Sequence, residues 1–201
     1  MTIALPSAPA PAPRRQILVA TAVASASAFM LIMGMLSMWL KFRAAAPTRK
    51  SADGFYVIKD WLPADLKIPE VSANVMLATI ALLAFIAQWA VYSAKRQDSQ
   101  HRSLALGLCL LMGVALVNAQ LAVYSQMEVG LSSGAYQTMF YTITGTMLVL
   151  IASGMAFTAV ALFRSVGGRS DDTQIVSAHA LYWYFLTAAF TAMWFIVYVQ
   201  K

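Results

Sequence analysis

Residues 139–163 read MFYTITGTMLVLIASGMAFTAVALF, twenty-five residues without Asp, Glu, Lys, Arg or His. About 20 apolar residues in helical form cross the hydrocarbon core of a bilayer. A strand is excluded: the run does not alternate apolar with polar, and lipid cannot satisfy the N–H groups of an unpaired strand. Four further runs of the same kind occupy residues 17–40, 71–94, 104–124 and 180–200. The predicted fold is all-α, an integral membrane bundle of five transmembrane helices.

Composition agrees. Of 201 residues, 60% are hydrophobic and 11% charged, against roughly a quarter charged in a soluble domain. Every acid (Asp53, Asp60, Asp65, Glu70, Asp98, Glu128, Asp171, Asp172) and every base falls outside the runs. A charge at mid-bilayer costs about 2.5–3.5 kcal/mol on insertion scales, so it is retained mainly where function requires it. The net charge of +6 therefore belongs to loops and tails, where contact with anionic headgroups explains it better than nucleic acid. The single cysteine, Cys109, lies within the third run and reads as a small buried hydrophobe.

Residues 1–16, MTIALPSAPAPAPRRQ, form a Pro/Ala-rich tail expected to be disordered; residues 17–201 form the membrane domain. The first run continues to Leu40, long enough to remain as an anchor rather than a cleaved signal. The long connection 41–70 carries Phe55, Tyr56, Trp61 and Leu62 among charges and is expected to lie along the membrane surface. Counting bases on each side gives seven against seven, six of the second seven standing in one long loop beside four acids. Arg14 and Arg15 abut the first run, which favours a cytoplasmic N-terminus in a cell (inner or plasma) membrane.

Chemistry is sparse. Haem ligation inside helices most often uses His; His101 is expected in a loop and His179 at the lip of the fifth helix. The spans hold no Asp, Glu or His at depth for a proton relay and no ligand set for a metal. Catalytic, cofactor-binding and metal residues are accordingly expected to be absent. Gly34, Gly107, Gly113, Gly145 and Gly154 are expected to let helices approach closely, and Gln88, Asn118 and Gln120 to be buried amides bonded between helices. Trp39, Trp89 with Tyr92, Tyr136 to Tyr141 and Tyr182 to Tyr184 fit interfacial aromatic belts. The twelve methionines read as adaptable packing.

Order and spacing then carry a resemblance that covers the chain. Ala135-Tyr136, Phe140-Tyr141, Thr144-Gly145, a helix closing on Arg164 and Tyr182-Trp183-Tyr184-Phe185 follow one another. They resemble the Tyr…Phe-Tyr…Thr-Gly helix and the Tyr-Trp-His-Phe final helix of haem-copper oxidase (cytochrome c oxidase) subunit III, short five-helix form. Ala26 to Met30 with Gly34 and Arg43 is similar to that family's first helix, and Gln120 with Tyr124 to its third. This chain departs from the pattern where the family is polar: Ala28 and Val123 replace Glu, Met147 and Leu150 replace His, and Tyr184 and Thr187 replace His and Asp.

The resemblance implies a non-catalytic subunit that braces the catalytic subunit I and binds a structural phospholipid, with haem and copper held in partner subunits. The replacements speak against a direct role in proton handling, and removing both members of buried polar pairs together is tolerable. Candidate packing, lipid or subunit contacts are Gly34, Arg43, Gln120, Tyr136, Tyr141, Gly145, Tyr182 and Trp183. An accessory protein of a nitric oxide reductase and an independent membrane scaffold or transport protein stand as alternatives.

Overall fold

The computed structural model of the chain describes residues 15–51, 54–62, 66, 69–127, 134–168 and 173–200. Its main elements are α1 (Gln16–Ala45), α2 (Glu70–Lys95), α3 (Ser99–Met127), α4 (Ala135–Val166) and α5 (Thr173–Met193), the last widening into a π-helical turn at Trp194–Val199. Five helices among the described residues are long and apolar enough to cross a membrane. The expected tail lies outside the described residues, apart from Arg15 and the already helical Gln16.

The helices outrun their apolar cores. At 1.5 Å per residue, the 32 residues of α4 extend about 48 Å, beyond the roughly 30 Å of hydrocarbon. Lys41, Arg43, Arg102 and Arg164 therefore ride on helical extensions instead of in loops. The connection expected over 95–103 shrinks to three residues, and His101 belongs to the first turn of α3.

Helices α2, α3, α4 and α5 pack in a ring in which each is antiparallel to its neighbours, while α1 lies outside it against α5 and the edge of α4. We call the end of the bundle where α1 begins proximal and the end where α1 finishes distal. Helix α1 buries Ser25, Ile32, Leu36 and Trp39, spacings of seven, four and three that mark one narrow stripe of a helix.

At the distal end the long connection carries a short hairpin. Strands β1 (Thr48–Lys50) and β2 (Val57–Lys59) pair antiparallel, with Arg49 opposite Ile58. Lys59 Nζ donates to the Ala44 carbonyl at 2.8 Å, serving one of the acceptors left at the C-terminus of α1. Trp61 then packs edge-on to Trp39 at 5.1 Å and against Tyr136 at 5.6 Å. This triad joins the hairpin, α1 and α4. Burying it is worth several kcal/mol, each aromatic contributing 150–250 Å².

The α2–α3 turn takes only three residues. The Asp98 N–H bonds to the Ser93 carbonyl and the Gln97 N–H to the Ala94 carbonyl, the double closure that ends helices around a left-handed residue. That residue is Gln97, at φ 59°. Asp98 then caps α3 by accepting the His101 N–H at 3.1 Å, which holds its carboxyl below the usual carboxylate range. A side chain in the left-handed region costs about 1–2 kcal/mol that glycine does not incur. We expect Gln97→Gly to raise stability by about 1 kcal/mol, read as a higher unfolding temperature in detergent. An unchanged or lower value would show that the Gln97 side chain makes a compensating contact.

Candidate functional site

Polar side chains inside the bundle collect at its two ends. At the proximal end, Arg102 on α3 is 2% exposed and donates through Nε to Ser165 Oγ on α4 at 2.8 Å; Ser103 reaches the same hydroxyl. Two turns deeper, His179 on α5 is wholly buried. Its Nε2 stands 2.9 Å from Thr158 Oγ1 and 3.0 Å from Trp183 Nε1. Trp183 Nε1 also reaches Thr158 Oγ1 at 3.0 Å, so the three side chains form one cluster between α4 and α5. His179 is thus not at the lip of its helix. Tyr182 on the next face of α5 bonds the Leu150 carbonyl at 3.0 Å and Ser153 Oγ at 2.7 Å.

The distal group is built from α3 and α4. Tyr124 donates to Thr144 Oγ1 at 2.8 Å, and Thr144 to the Phe140 carbonyl at 2.7 Å. Gln120 is buried against the Tyr124 and Tyr198 hydroxyls. Tyr136 stacks on Phe140, which meets Tyr141 and Tyr198 edge-on. Among the described residues, Trp39 Nε1, Trp61 Nε1 and Tyr136 Oη are buried without a hydrogen-bond partner.

Between the two groups the interior is apolar. Val123 and Met147 are fully buried beside Leu83, Leu116, Ile151 and Leu186, and Leu150 and Ala28 pack at the margin of the same core. Thr144 and Thr158 are fourteen residues apart on α4, about 21 Å along the axis. A third polar feature runs down the seam between α2 and α5. Tyr184 donates to Gln88 Oε1, Thr187 to the Ile80 carbonyl at 3.3 Å, and Trp194 Nε1 to Asn74 Oδ1 at 3.0 Å. Tyr184 and Thr187 accordingly turn toward α2, whereas α1 meets α5 through Phe29 on Phe185.

Other expectations need correction. Only Gln120 of the three amides is buried; Gln88 and Asn118 are exposed on the bundle surface. Close approach holds at Gly113 and Gly154, whereas a Cβ on Gly34, Gly107 or Gly145 would meet nothing within 4 Å. Trp39, Tyr136 and Trp183 are packed inside the bundle, whereas Tyr92 is exposed, with Arg96 over its ring at 4.6 Å. Arg43 is half-buried at the end of α1, where it lines a cavity of about 300 Å³ with Leu40, Ala44 and Lys59. Sequence reasoning missed Arg102, Thr158 and Ser165. The seven-residue spacing of 144, 151, 158 and 165 on one helix face was the available signal.

Chemically, these contacts join helix to helix. No group of three His, Cys, Asp or Glu that could hold a metal occurs among the described residues. His179 Nε2 is engaged by Thr158 and Trp183, and His101 is exposed and paired with Asp98, so these residues do not fit a haem with two His ligands.

A bundle of apolar helices whose polar contacts are confined to its ends and one lateral seam defines a multi-pass membrane protein of the all-α class. The chain belongs to the cytochrome c oxidase subunit III family, whose model matches residues 20–201. It is 22% identical over 177 residues to cytochrome c oxidase subunit 3 of Synechocystis sp. (strain ATCC 27184 / PCC 6803 / Kazusa), covering 84% of this chain and 69% of that protein. It is 26% identical over 137 residues to the Sus scrofa and Bos taurus proteins of the same name, covering 67% of this chain and 49% of each. The chain thus spans about half the length of these mammalian relatives.

Two outcomes follow from the packing. A Cβ on Gly154 would lie 3.0 Å from Tyr182 Cε1 and 3.1 Å from Leu186 Cδ1, so Gly154→Val should destabilise by about 1–3 kcal/mol. Gly145→Ala, into open space, should be neutral or stabilising by up to about 1 kcal/mol; thermal unfolding in detergent compares the two, and equal losses would contradict the α4–α5 contact. A double-mutant cycle of Tyr184→Phe and Gln88→Leu should return a coupling of about 0.5–2 kcal/mol, and no coupling would remove this bond from the seam.

Proposed function

We propose that this chain is a non-catalytic subunit of a respiratory haem-copper terminal oxidase, a complex that oxidises cytochrome c, reduces oxygen and translocates protons. It braces the catalytic subunit I, and haem and copper reside in partner chains. Family membership over residues 20–201 is the observation that carries the reading. The interior is in keeping with it: Leu116, Met147, Ile151 and Leu186 fill the middle of the core, and the polar contacts at that depth join one helix to another, as suits a brace.

In this reading the bundle sits in the cell membrane with the proximal end, and so the N-terminus, on the cytoplasmic side. Arg15, Lys95, Arg96, Arg102 and Arg164 gather at that end, in keeping with the excess of bases on cytoplasmic faces. Outward-facing Gly34 and Gly145 leave shallow recesses suited to an acyl chain of a structural phospholipid or to a neighbouring helix.

Affinity purification of the tagged chain from native membranes should recover a haem a- or haem b-containing oxidase at stoichiometric haem. The chain purified alone should show no Soret band. A haem-free preparation with no such partner would sink the reading, as would a stoichiometric haem on the isolated chain.

A further inference from the structure

Exposed polar side chains on the spans are almost all satisfied within the chain. Ser27, Ser37, Thr79, Thr142, Ser153 and Thr191 each bond a carbonyl three or four residues back in their own helix. Gln88 and Asn74 accept from Tyr184 and Trp194. Asn118 is different. It is exposed on α3, and among the described residues it makes no hydrogen bond. It stands six residues inside the apolar run 104–124, about 9 Å from the run's end, too deep for so short a side chain to reach the headgroups.

Lipid cannot pair a carboxamide, and polar residues within spans face a helix that can. The surroundings of Asn118 suit such a helix. Gly107, Leu111, Val114, Ala115 and Ala122 recur at three- and four-residue intervals and share its face. Leu111 and Val114 are 67% and 52% exposed, a Cβ on Gly107 would meet nothing within 4 Å, and small residues at such intervals allow helix axes to approach closely. Gly107 and Asn118 thus lie on one unpartnered stripe that is mostly apolar and has a single unsatisfied amide at depth.

We propose that the α3 face centred on Asn118 is where a membrane helix of the catalytic partner docks, pairing the Asn118 amide with a side-chain or backbone polar group of its own. The inference rests on the proposed function and names the surface by which this chain joins its complex. Helix α1 is the competing surface, with Met30 74% exposed, but the exposed hydroxyls of α1 are already bonded to its own carbonyls. Lipid covers such a face at no polar cost.

The test uses the full tagged chain in native membranes. Wild type reports on the proposed function by bringing down haem; Asn118→Leu reports on the docking face. We expect Asn118→Leu to lower the haem recovered per chain about fivefold, Asn118→Gln to retain most of it, and the membrane level of both variants to match wild type. In parallel, a photocrosslinking residue at position 114 should label the haem-bearing chain, and one at position 30 should not. Full haem recovery with Asn118→Leu would overturn the inference while leaving the proposed function standing. Labelling from position 114 of only lipid, or of a second copy of this chain, would also overturn it. A wild-type preparation without haem would instead remove the functional reading on which the inference rests.

Discussion

Hydrocarbon offers no hydrogen bonds, so each polar group placed within it must find its partner in protein, and this constraint organises the bundle. Exposed hydroxyls turn back onto carbonyls of their own helix, as at Ser27 and Thr142. Polar pairs between helices form at the two ends or along one seam, where Thr158, His179 and Trp183 meet in the proximal group and Tyr184 meets Gln88 on the seam. The middle of the bundle keeps only shape: Met147, Ile151, Leu116 and Leu186 fill it without a polar contact to register them. Register then comes from the ends and the seam.

Helix α5 occupies the position on which the others depend. It touches α1, α2 and α4, and its faces divide the work. Tyr184 and Thr187 bond to α2, Trp183 and His179 to α4, and Phe185 packs on Phe29 of α1. Gly154 completes the arrangement from the α4 side, where a Cβ would press on Tyr182 and Leu186. At the seam a phenol and a threonine sustain the contact with α2.

The five spans were legible because hydropathy is a property of composition over about 20 residues and needs no neighbours. The family was legible too, since Tyr136, Phe140, Tyr141 and Tyr182 to Phe185 keep their order along the chain. Burial inside the membrane was not. In water, a polar residue signals the outside; in lipid both faces of a helix are apolar, and Asn118 and Gln120, two residues apart, read alike although one faces out and the other in. The same ambiguity hid the outward orientation of Gly34 and Gly145 and the inward position of Trp39. Strands β1 and β2 escaped because three-residue strands carry too little pattern to read.

The sequence alone determined how many times this chain crosses the membrane, the helical form of each crossing and the family to which it belongs, because backbone satisfaction in lipid admits few solutions for apolar runs of this length. Only the tertiary structure decided which side of each helix meets another helix. That choice follows from side-chain shape and from hydrogen bonds such as Tyr184 to Gln88 and Thr158 to His179, which join residues far apart in the chain and leave no trace in the local pattern.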